Sequence, residues 1–132
     1  MLNWWQDFWS GMLDAAPHWR LQWSQLRAAR LERKGRLEDA LAAAADALTR
    51  TLKLGPSADY ALPFVTIAYD RIARKLGKPG VSSELIDSSL RVCRAFATKS
   101  PRLAAKLQEH IAWFEWRQAQ PPTGPGPSVE TG

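Results

Sequence analysis

The chain has 132 residues, of which 45% are hydrophobic and 23% charged, a composition typical of one globular domain with a single core. Its one cysteine, Cys93, excludes an internal disulfide and a thiolate metal cluster, so we expect a reducing, cytoplasmic setting. No apolar run approaches the roughly 18 residues of a membrane span. The formal net charge of +5 suits phosphates, acidic proteins or anionic lipid as partners, and the alternative is that the basic run is only the solvated face of a helix.

Glycine and proline divide the chain into about six helix-length segments. Ala, Leu, Arg, Glu and Lys dominate these segments, and β-branched residues are sparse. We therefore predict an all-α fold of about six helices, packed as stacked antiparallel hairpins or as a helical bundle. The predicted helices run over 2–14, 17–34, 37–54, a stretch within 58–76, a segment from 82 to just before 100, and 101–119.

Three regions follow from this division: residues 1–16 as an aromatic-rich N-terminal helix, 17–120 as a helical-hairpin domain, and 121–132 as a tail. The tail consists largely of Pro, Gly, Ser and Thr and is expected to be disordered alone. Inside the domain, Ser82 and Ser100 are predicted helix N-caps. Pro63 marks either the first turn of the fourth helix or a kink in it.

The first predicted helix is amphipathic, with aromatic residues on one half of a helical wheel and polar residues on the other. Burial of each large apolar side chain contributes about 1.5–3 kcal/mol, so something is expected to cover this face. Four alternatives could cover it: the protein's own last helix, a partner protein, a second copy, or a membrane surface reached through residues 1–14. Acids on the polar face argue against the membrane. The predicted hydrophobic docking residues are Trp4, Trp5, Phe8 and Trp9.

The second predicted helix carries much of the positive charge, because residues 17–36 hold six Arg and Lys side chains against Glu32 alone. Trp19 and Trp23 lie on the same side of the wheel as several of these cations. Aromatic rings interleaved with arginines can stack bases and neutralise phosphates. The alternative is a core-facing pair of tryptophans shielded by arginine stems. The possible phosphate-binding residues are Arg27, Arg30 and Lys34.

An internal repeat accompanies these helices. Gly35 and Pro56 are 21 residues apart, and so are Gly80 and Pro101, which offsets two helix–turn–helix blocks by 45 residues. The first block resembles a tetratricopeptide repeat (TPR), and the similarity extends over about 75 residues with the second block. The residues that carry the resemblance are Ala28, Leu31, Gly35, Leu37, Ala40, Leu41, Ala44, Ala47, Leu48, Leu54 and Pro56.

The resemblance implies a protein-interaction scaffold in which the first helix of each repeat lines a concave groove. Carried over by position, Ala29, Glu32 and Asp70 would also lie in that groove. The cationic members would suit an acidic or carboxylate-ended peptide. The partner-binding residues implied in this way are Gln22, Gln25, Arg33, Arg74 and Lys78.

Catalytic motifs are absent from the sequence, and no cofactor or metal site is expected. His18 and His110 are the only histidines and are far apart in the chain. The leading hypothesis is therefore a non-catalytic adaptor that binds a segment of a partner protein. The alternatives are a nucleic-acid binder that uses the arginine-rich helix, and a peripheral membrane or complex subunit attached through the N-terminal helix.

Overall fold

The computed structural model describes the backbone of residues 2–120 and the side chains of residues 17–120. Within this range the fold is all-helical and contains no strand, as the composition predicts. There are five α-helices, with a short 3-10 helix (Gly55–Ala58) between the second and the third. The α-helices are α1 (Leu2–Arg33), α2 (Leu37–Leu54), α3 (Leu62–Lys75), α4 (Ser83–Lys99) and α5 (Pro101–Gln118). The predicted disordered tail, 121–132, lies outside the described residues.

The first two predicted helices are one helix, because α1 continues through Pro17. A proline inside a helix removes one backbone hydrogen bond and crowds the preceding turn, at a cost of about 3 kcal/mol. Ala15 and Ala16 precede it, and the long run of helix-forming residues on both sides outweighs this local cost. The predicted boundary between 1–16 and 17–120 therefore falls inside a continuous helix.

The helices α1 and α3 each end in a turn with the same hydrogen-bonding pattern. Gly35 has φ of 77° and Gly77 has φ of 71°, a conformation that only glycine adopts readily. Past each glycine, the next N–H reaches back five residues: Arg36 donates to Leu31 at 3.0 Å, and Lys78 to the carbonyl of residue 73 at 2.9 Å. The equivalent of Gly35 is thus Gly77, and the predicted equivalence with Gly80 is wrong.

Serine caps set the start of α4 and α5. The Ser82 hydroxyl accepts the N–H of Leu85 at 3.3 Å, and the Ser100 hydroxyl accepts the N–H of Leu103 at 3.4 Å. Both predicted N-caps are confirmed. Pro63 lies in the first turn of α3, so it begins the helix and does not kink it.

The core contains alanines at the contact of α1 with α2, together with larger apolar residues such as Leu21 and Leu31 of α1 and Phe114 of α5. Helices adjacent in sequence pack together: α1 on α2, α2 on α3, α3 on α4, and α4 on α5. Tyr69 of α3 borders all three buried clusters and connects them. Alanines at the α1–α2 contact allow the two helix backbones to approach closely, because they place only a methyl group between them. These alanines are Ala28, Ala40, Ala43, Ala44 and Ala47.

A buried ion pair joins α3 to α5. The Nε of Arg117 donates to both carboxylate oxygens of Asp70, at 3.2 and 3.1 Å, and each side chain is 1% exposed. Asp70 also accepts the N–H of Val81 at 3.0 Å, which fixes the turn before α4. Arg74 contributes a further positive charge 3.8 Å from the same carboxylate. Asp70 is therefore a structural residue at the centre of the fold.

Candidate partner-binding sites

A groove of about 440 Å³ lies between α1 and α3, and α2 forms its floor. Most of the lining is apolar, with alanine as the commonest residue. The rim carries two aromatic rings, Tyr60 and Phe64, which are 42% and 47% exposed. The groove residues are Gln22, Gln25, Ala28, Ala29 and Glu32 of α1, Ala44 and Ala47 of α2, and Tyr60, Ala61, Phe64, Val65, Ala68, Arg71 and Ile72 at and within α3.

Polar contacts between α1 and α3 mark the two ends of the groove. At one end, the Nδ1 of His18 lies 3.2 Å from the Tyr60 hydroxyl, and the two rings stack. At the other end, Arg71 donates two hydrogen bonds to Glu32, at 2.7 and 2.8 Å, and Lys75 adds a third at 3.0 Å. Along the groove, His18 of α1 thus lies beside Tyr60, before the start of α3. Glu32, further along α1, lies beside Arg71, near the end of α3. The two helices that line the groove are therefore parallel.

At the charged end of the groove, the carboxylate of Glu32 is held by ion pairs within the protein. The hydrogen bonds from Arg71 lower the pKa of Glu32 from 4.5 to about 2, against the opposing effect of its partial burial, and Lys75 contributes in the same direction. The same contact raises the pKa of Arg71. Because the carboxylate is already bound by two cations, it does not present a free negative charge to a ligand.

The structure separates the predicted partner-binding residues. Gln22 and Gln25 line the groove, as do Ala29 and Glu32. Arg33 is exposed on the last turn of α1 but does not line the groove. The other three predicted groove residues lie elsewhere, as their contacts show.

Contacts within the protein hold these three residues away from the groove. The Arg74 side chain is 12% exposed and packs its guanidinium over the Trp116 ring, 5.5 Å from the ring centroid. Lys78 pairs with Glu38 at 2.9 Å. Asp70 is buried in its ion pair with α5. The prediction that Arg74, Lys78 and Asp70 line one groove is thus wrong, because tertiary contacts engage each of them.

Among the groove residues that the sequence analysis missed are Tyr60, Phe64 and Arg71, which supply its rim and its charged end. Phe64 and Arg71 are seven residues apart, two helical turns, and so lie on one face of α3. This spacing was available in the sequence. It identifies a groove face only when the opposite face of α3 is known to meet the core, and that contact is tertiary.

A second surface, the outer face of α1, is exposed and aromatic. Trp19 is 55% exposed, Trp23 68% and Leu26 59%. The alternative in which the two tryptophans face the core is therefore wrong. The phosphate-binding candidates Arg27, Arg30 and Lys34 are exposed as well, and Arg27 and Arg30 line a shallow depression next to Trp23 and Leu26.

The cations of this surface form no ion pair with a described side chain, although Arg20 and Arg27 line a depression that also contains Asp39 and Asp46. Within residues 17–120, no ion pair involves Arg20, Arg27, Arg30, Arg33 or Lys34. The nearest acids on α2 are occupied, since Asp39 pairs with Arg36 and Asp46 with Arg50. A hydrogen bond from Ser24, followed by that from Arg50, lowers the pKa of Asp46. The outer face of α1 therefore carries uncompensated positive charge.

The predicted docking residues Trp4, Trp5, Phe8 and Trp9 belong to the helical backbone of α1, but their side chains lie outside the described residues. At the other end of the chain, Phe114 is fully buried and Trp116 is 46% exposed. Trp113 packs edge-on against Phe114, with ring centroids 5.1 Å apart. Phe114, with Trp113 packed against it, thus forms part of the α4–α5 core, whereas Trp116 lies at the surface.

Among residues 17–120, no three His, Cys, Asp or Glu side chains come together in a way that could hold a metal ion. None of the described helices has the length and apolarity needed to cross a bilayer. His110 packs against the edge of Phe64, with ring centroids 4.9 Å apart, and its buried Nδ1 has no hydrogen-bond partner in the described part. Burial raises the pKa of Cys93 to about 11, so its thiol stays protonated.

Comparisons of the chain with protein-family models, with curated proteins and with solved structures found no match. The resemblance to tetratricopeptide repeats accordingly stays a prediction from the sequence.

Proposed function

We propose that this chain is a non-catalytic adaptor whose groove between α1 and α3 binds an apolar segment of a partner protein. In this proposal α1 with α2 and α3 with α4 act as two stacked, TPR-like hairpins, and α5 covers the second. The observation that carries the proposal is the alanine-floored groove with two half-exposed aromatic rings on its rim. Exposed aromatic side chains beside an apolar depression are typical of binding surfaces.

The size of the groove suits a short peptide. Its volume of about 440 Å³ lies within the usual range for binding clefts. Between His18 and Glu32, α1 rises by about 21 Å at 1.5 Å per residue. An extended peptide of roughly six residues has this length. The groove can therefore hold a linear segment along its full length.

The chemistry of the lining defines that segment. Gln22 and Gln25 each offer an amide that can donate hydrogen bonds to a peptide carbonyl and accept them from a peptide N–H. Phe64 and Tyr60 provide flat apolar surface for aliphatic or aromatic anchor side chains. The alanine floor leaves space for those anchors, because each methyl group occupies little volume.

The charge of the groove argues for a neutral partner. The acidic-peptide expectation depended on Arg33, Arg74 and Lys78 lying together, and Arg74 and Lys78 are engaged elsewhere. The charged residues that do line the groove, Glu32 and Arg71, pair with each other, and Glu32 also binds Lys75 at that end. We therefore propose an apolar, uncharged segment as the ligand.

Selection from a random peptide display library tests this function. Peptides selected on the full chain should be apolar and should bind with Kd values in the micromolar range. They should lose binding to the double variant Ala29→Trp/Ala68→Trp, which fills the groove from both walls. Ala105→Trp, at an exposed position of α5 away from the groove, is the matched control and should bind normally. Selection of acidic peptides, or equal binding to the filled groove, would contradict the proposal.

A further inference from the structure

The continuity of α1 aligns two sets of aromatic residues that the sequence alone assigned to separate helices. An α-helix with 3.6 residues per turn returns to the same angular position after 18 residues, or five turns. Trp5 and Trp23 are 18 residues apart, and so are Phe8 and Leu26. Since α1 is one helix from Leu2 to Arg33, these positions share one register along its length.

In residues 17–33 of α1, the register of Trp23 and Leu26 faces the solvent. Trp23 and Leu26 are 68% and 59% exposed, whereas Leu21 and Ala28, on the opposite side of the same turns, are buried at 0% and 3%. Of the N-terminal positions that continue the buried register, two are polar and one is apolar: Asn3 and Ser10 lie 18 residues before Leu21 and Ala28, and Leu13 lies 18 residues before the buried Leu31. Trp5 and Phe8 therefore fall at the register positions of the exposed Trp23 and Leu26.

Charge follows the same division. The acids of α1 share the other side, since Asp14 is 18 residues from Glu32, which faces the groove. The outward register and its edges carry Arg20, Arg27, Arg30 and Lys34, none of which has an ion-pair partner among the described side chains. The surface thus combines an aromatic stretch with an unopposed basic stretch.

We propose that this outer face of α1 docks onto the surface of an anionic lipid bilayer. Tryptophan is enriched at the membrane–water interface, and a basic amphipathic helix binds there with its axis in the membrane plane. From position 5 to position 26 the aromatic register extends over about 32 Å. The arginines that follow meet lipid phosphates. Acids on the polar side of residues 2–14 no longer argue against a membrane, because the same helix supplies its cations further on.

The docking leaves the proposed peptide groove free. Gln22 and Gln25 lie on a different side of α1 from Trp19 and Trp23, facing α3. An adaptor attached in this way presents its groove to a partner while α1 holds it at the lipid surface. The membrane inference stands on α1 alone and does not depend on the ligand of the groove.

Co-sedimentation of the full chain with lipid vesicles tests the inference. One set of vesicles contains only phosphatidylcholine. The other set is a mixture of phosphatidylcholine and anionic phosphatidylglycerol. The native chain should bind the anionic vesicles, and binding should weaken as salt is raised. The double variant Arg27→Gln/Arg30→Gln should bind them roughly 25-fold more weakly, because each cation near the surface contributes about a fivefold factor. Trp19→Gln/Trp23→Gln should weaken binding to both vesicle types.

Matched controls separate this face from general stickiness of a basic protein. Arg102→Gln/Lys106→Gln removes two exposed cations of α5, and Leu52→Gln/Leu103→Gln removes two apolar side chains that are 54% and 40% exposed. Both control variants should retain native vesicle binding, as should Ala29→Trp/Ala68→Trp. Circular dichroism checks that every variant remains folded.

Three results would overturn the inference. One is failure of the native chain to bind anionic vesicles, and another is an equal loss of binding in the Arg102→Gln/Lys106→Gln control. The third is evidence that this face binds a different ligand. In that case the native chain would not bind vesicles, and the α1 substitutions would abolish oligonucleotide binding or self-association.

Discussion

Gly80 lies directly against the carboxylate of Asp70. A Cβ at position 80 would overlap Oδ1 of Asp70 and come within 3.0 Å of Nη2 of Arg117. Glycine is therefore required here by close approach, because any side chain would push apart the buried ion pair that joins α3 to α5. The turn before α4 and the position of α5 depend on the same few atoms.

Substitution Gly80→Ala should lower the free energy of unfolding by about 1–3 kcal/mol, the usual cost of adding a methyl group to a filled interior. Urea denaturation monitored by circular dichroism measures the change. Lys78→Ala, in the same turn but with a side chain 47% exposed, should cost less than about 1 kcal/mol. Equal stability of the two variants would show that the turn can move away from Asp70.

Substitution Arg117→Met should be more severe, because it leaves the Asp70 carboxylate buried without its partner. The expected loss is about 3–5 kcal/mol in the free energy of unfolding. The double variant Asp70→Leu/Arg117→Met should recover part of this loss, since it removes both charges. As a control, Arg94→Met removes an exposed pair with Glu115 and should change stability by less than about 1 kcal/mol. A double variant less stable than Arg117→Met would contradict this account.

The Glu32 contact predicts a pH dependence. Because hydrogen bonds from Arg71 hold the folded-state pKa of Glu32 at about 2, below its ordinary value of 4.5, the ionised carboxylate stabilises the fold at higher pH. This contribution should be fully present above pH 4.5 and should be lost as the pH falls toward about 2. The variant Glu32→Gln should therefore be less stable at neutral pH and lose less stability on acidification. Urea midpoints across this range measure the effect.

Glu38→Gln is the control for the acid titration, because the Glu38 side chain pairs with Lys78 while 70% exposed. Its stability should follow that of the native protein at every pH. Parallel curves for the native protein and Glu32→Gln would mean that the Glu32–Arg71 contact does not contribute to folding.

The thiol of Cys93 should be inert in the folded protein. Burial raises its pKa from 9.0 to about 11, and only the thiolate attacks a disulfide reagent. Reaction with Ellman's reagent at neutral pH should be slow in buffer and rapid in concentrated urea. An added surface cysteine, Ala105→Cys, should react quickly in both. Fast labelling of the native chain would show that α4 opens readily.

The sequence predicted those helix ends that depend on local hydrogen bonds. Gly35, Ser82 and Ser100 act within one turn of the residues they cap, so their roles can be read from neighbouring residues. Pro17 was wrongly predicted to separate two helices, because a proline can either mark a helix boundary or lie inside a continuous helix. The difference depends on how strongly the flanking residues favour the helix, and in α1 they do so on both sides.

The groove was harder to predict than the helices. Gln22 and Gln25 lie on the face of α1 that the resemblance indicated, and α3 supplies the opposite wall. Arg74 could not be placed from its own segment, because Trp116 and Arg117 of α5 determine where its side chain lies. The exposure of Trp23 could not be predicted from the sequence either. A helical wheel gives the direction of Trp23 relative to Arg30, but it does not show which side of α1 packs against α2.

The Asp70–Arg117 pair also constrains how the protein is made. Asp70 leaves the ribosome 47 residues before Arg117, an interval of about 2–9 s at ordinary rates of synthesis. During that interval the only cation beside Asp70 is Arg74, at 3.8 Å, and the hydrogen bonds from Arg117 are missing. Helices that close around Asp70 at this stage bury a poorly compensated charge, so the nascent chain should stay loosely packed until α5 arrives. The synthesis of α5 would then trigger compaction of the helices around Asp70, and a chaperone that holds the growing chain would act in that window.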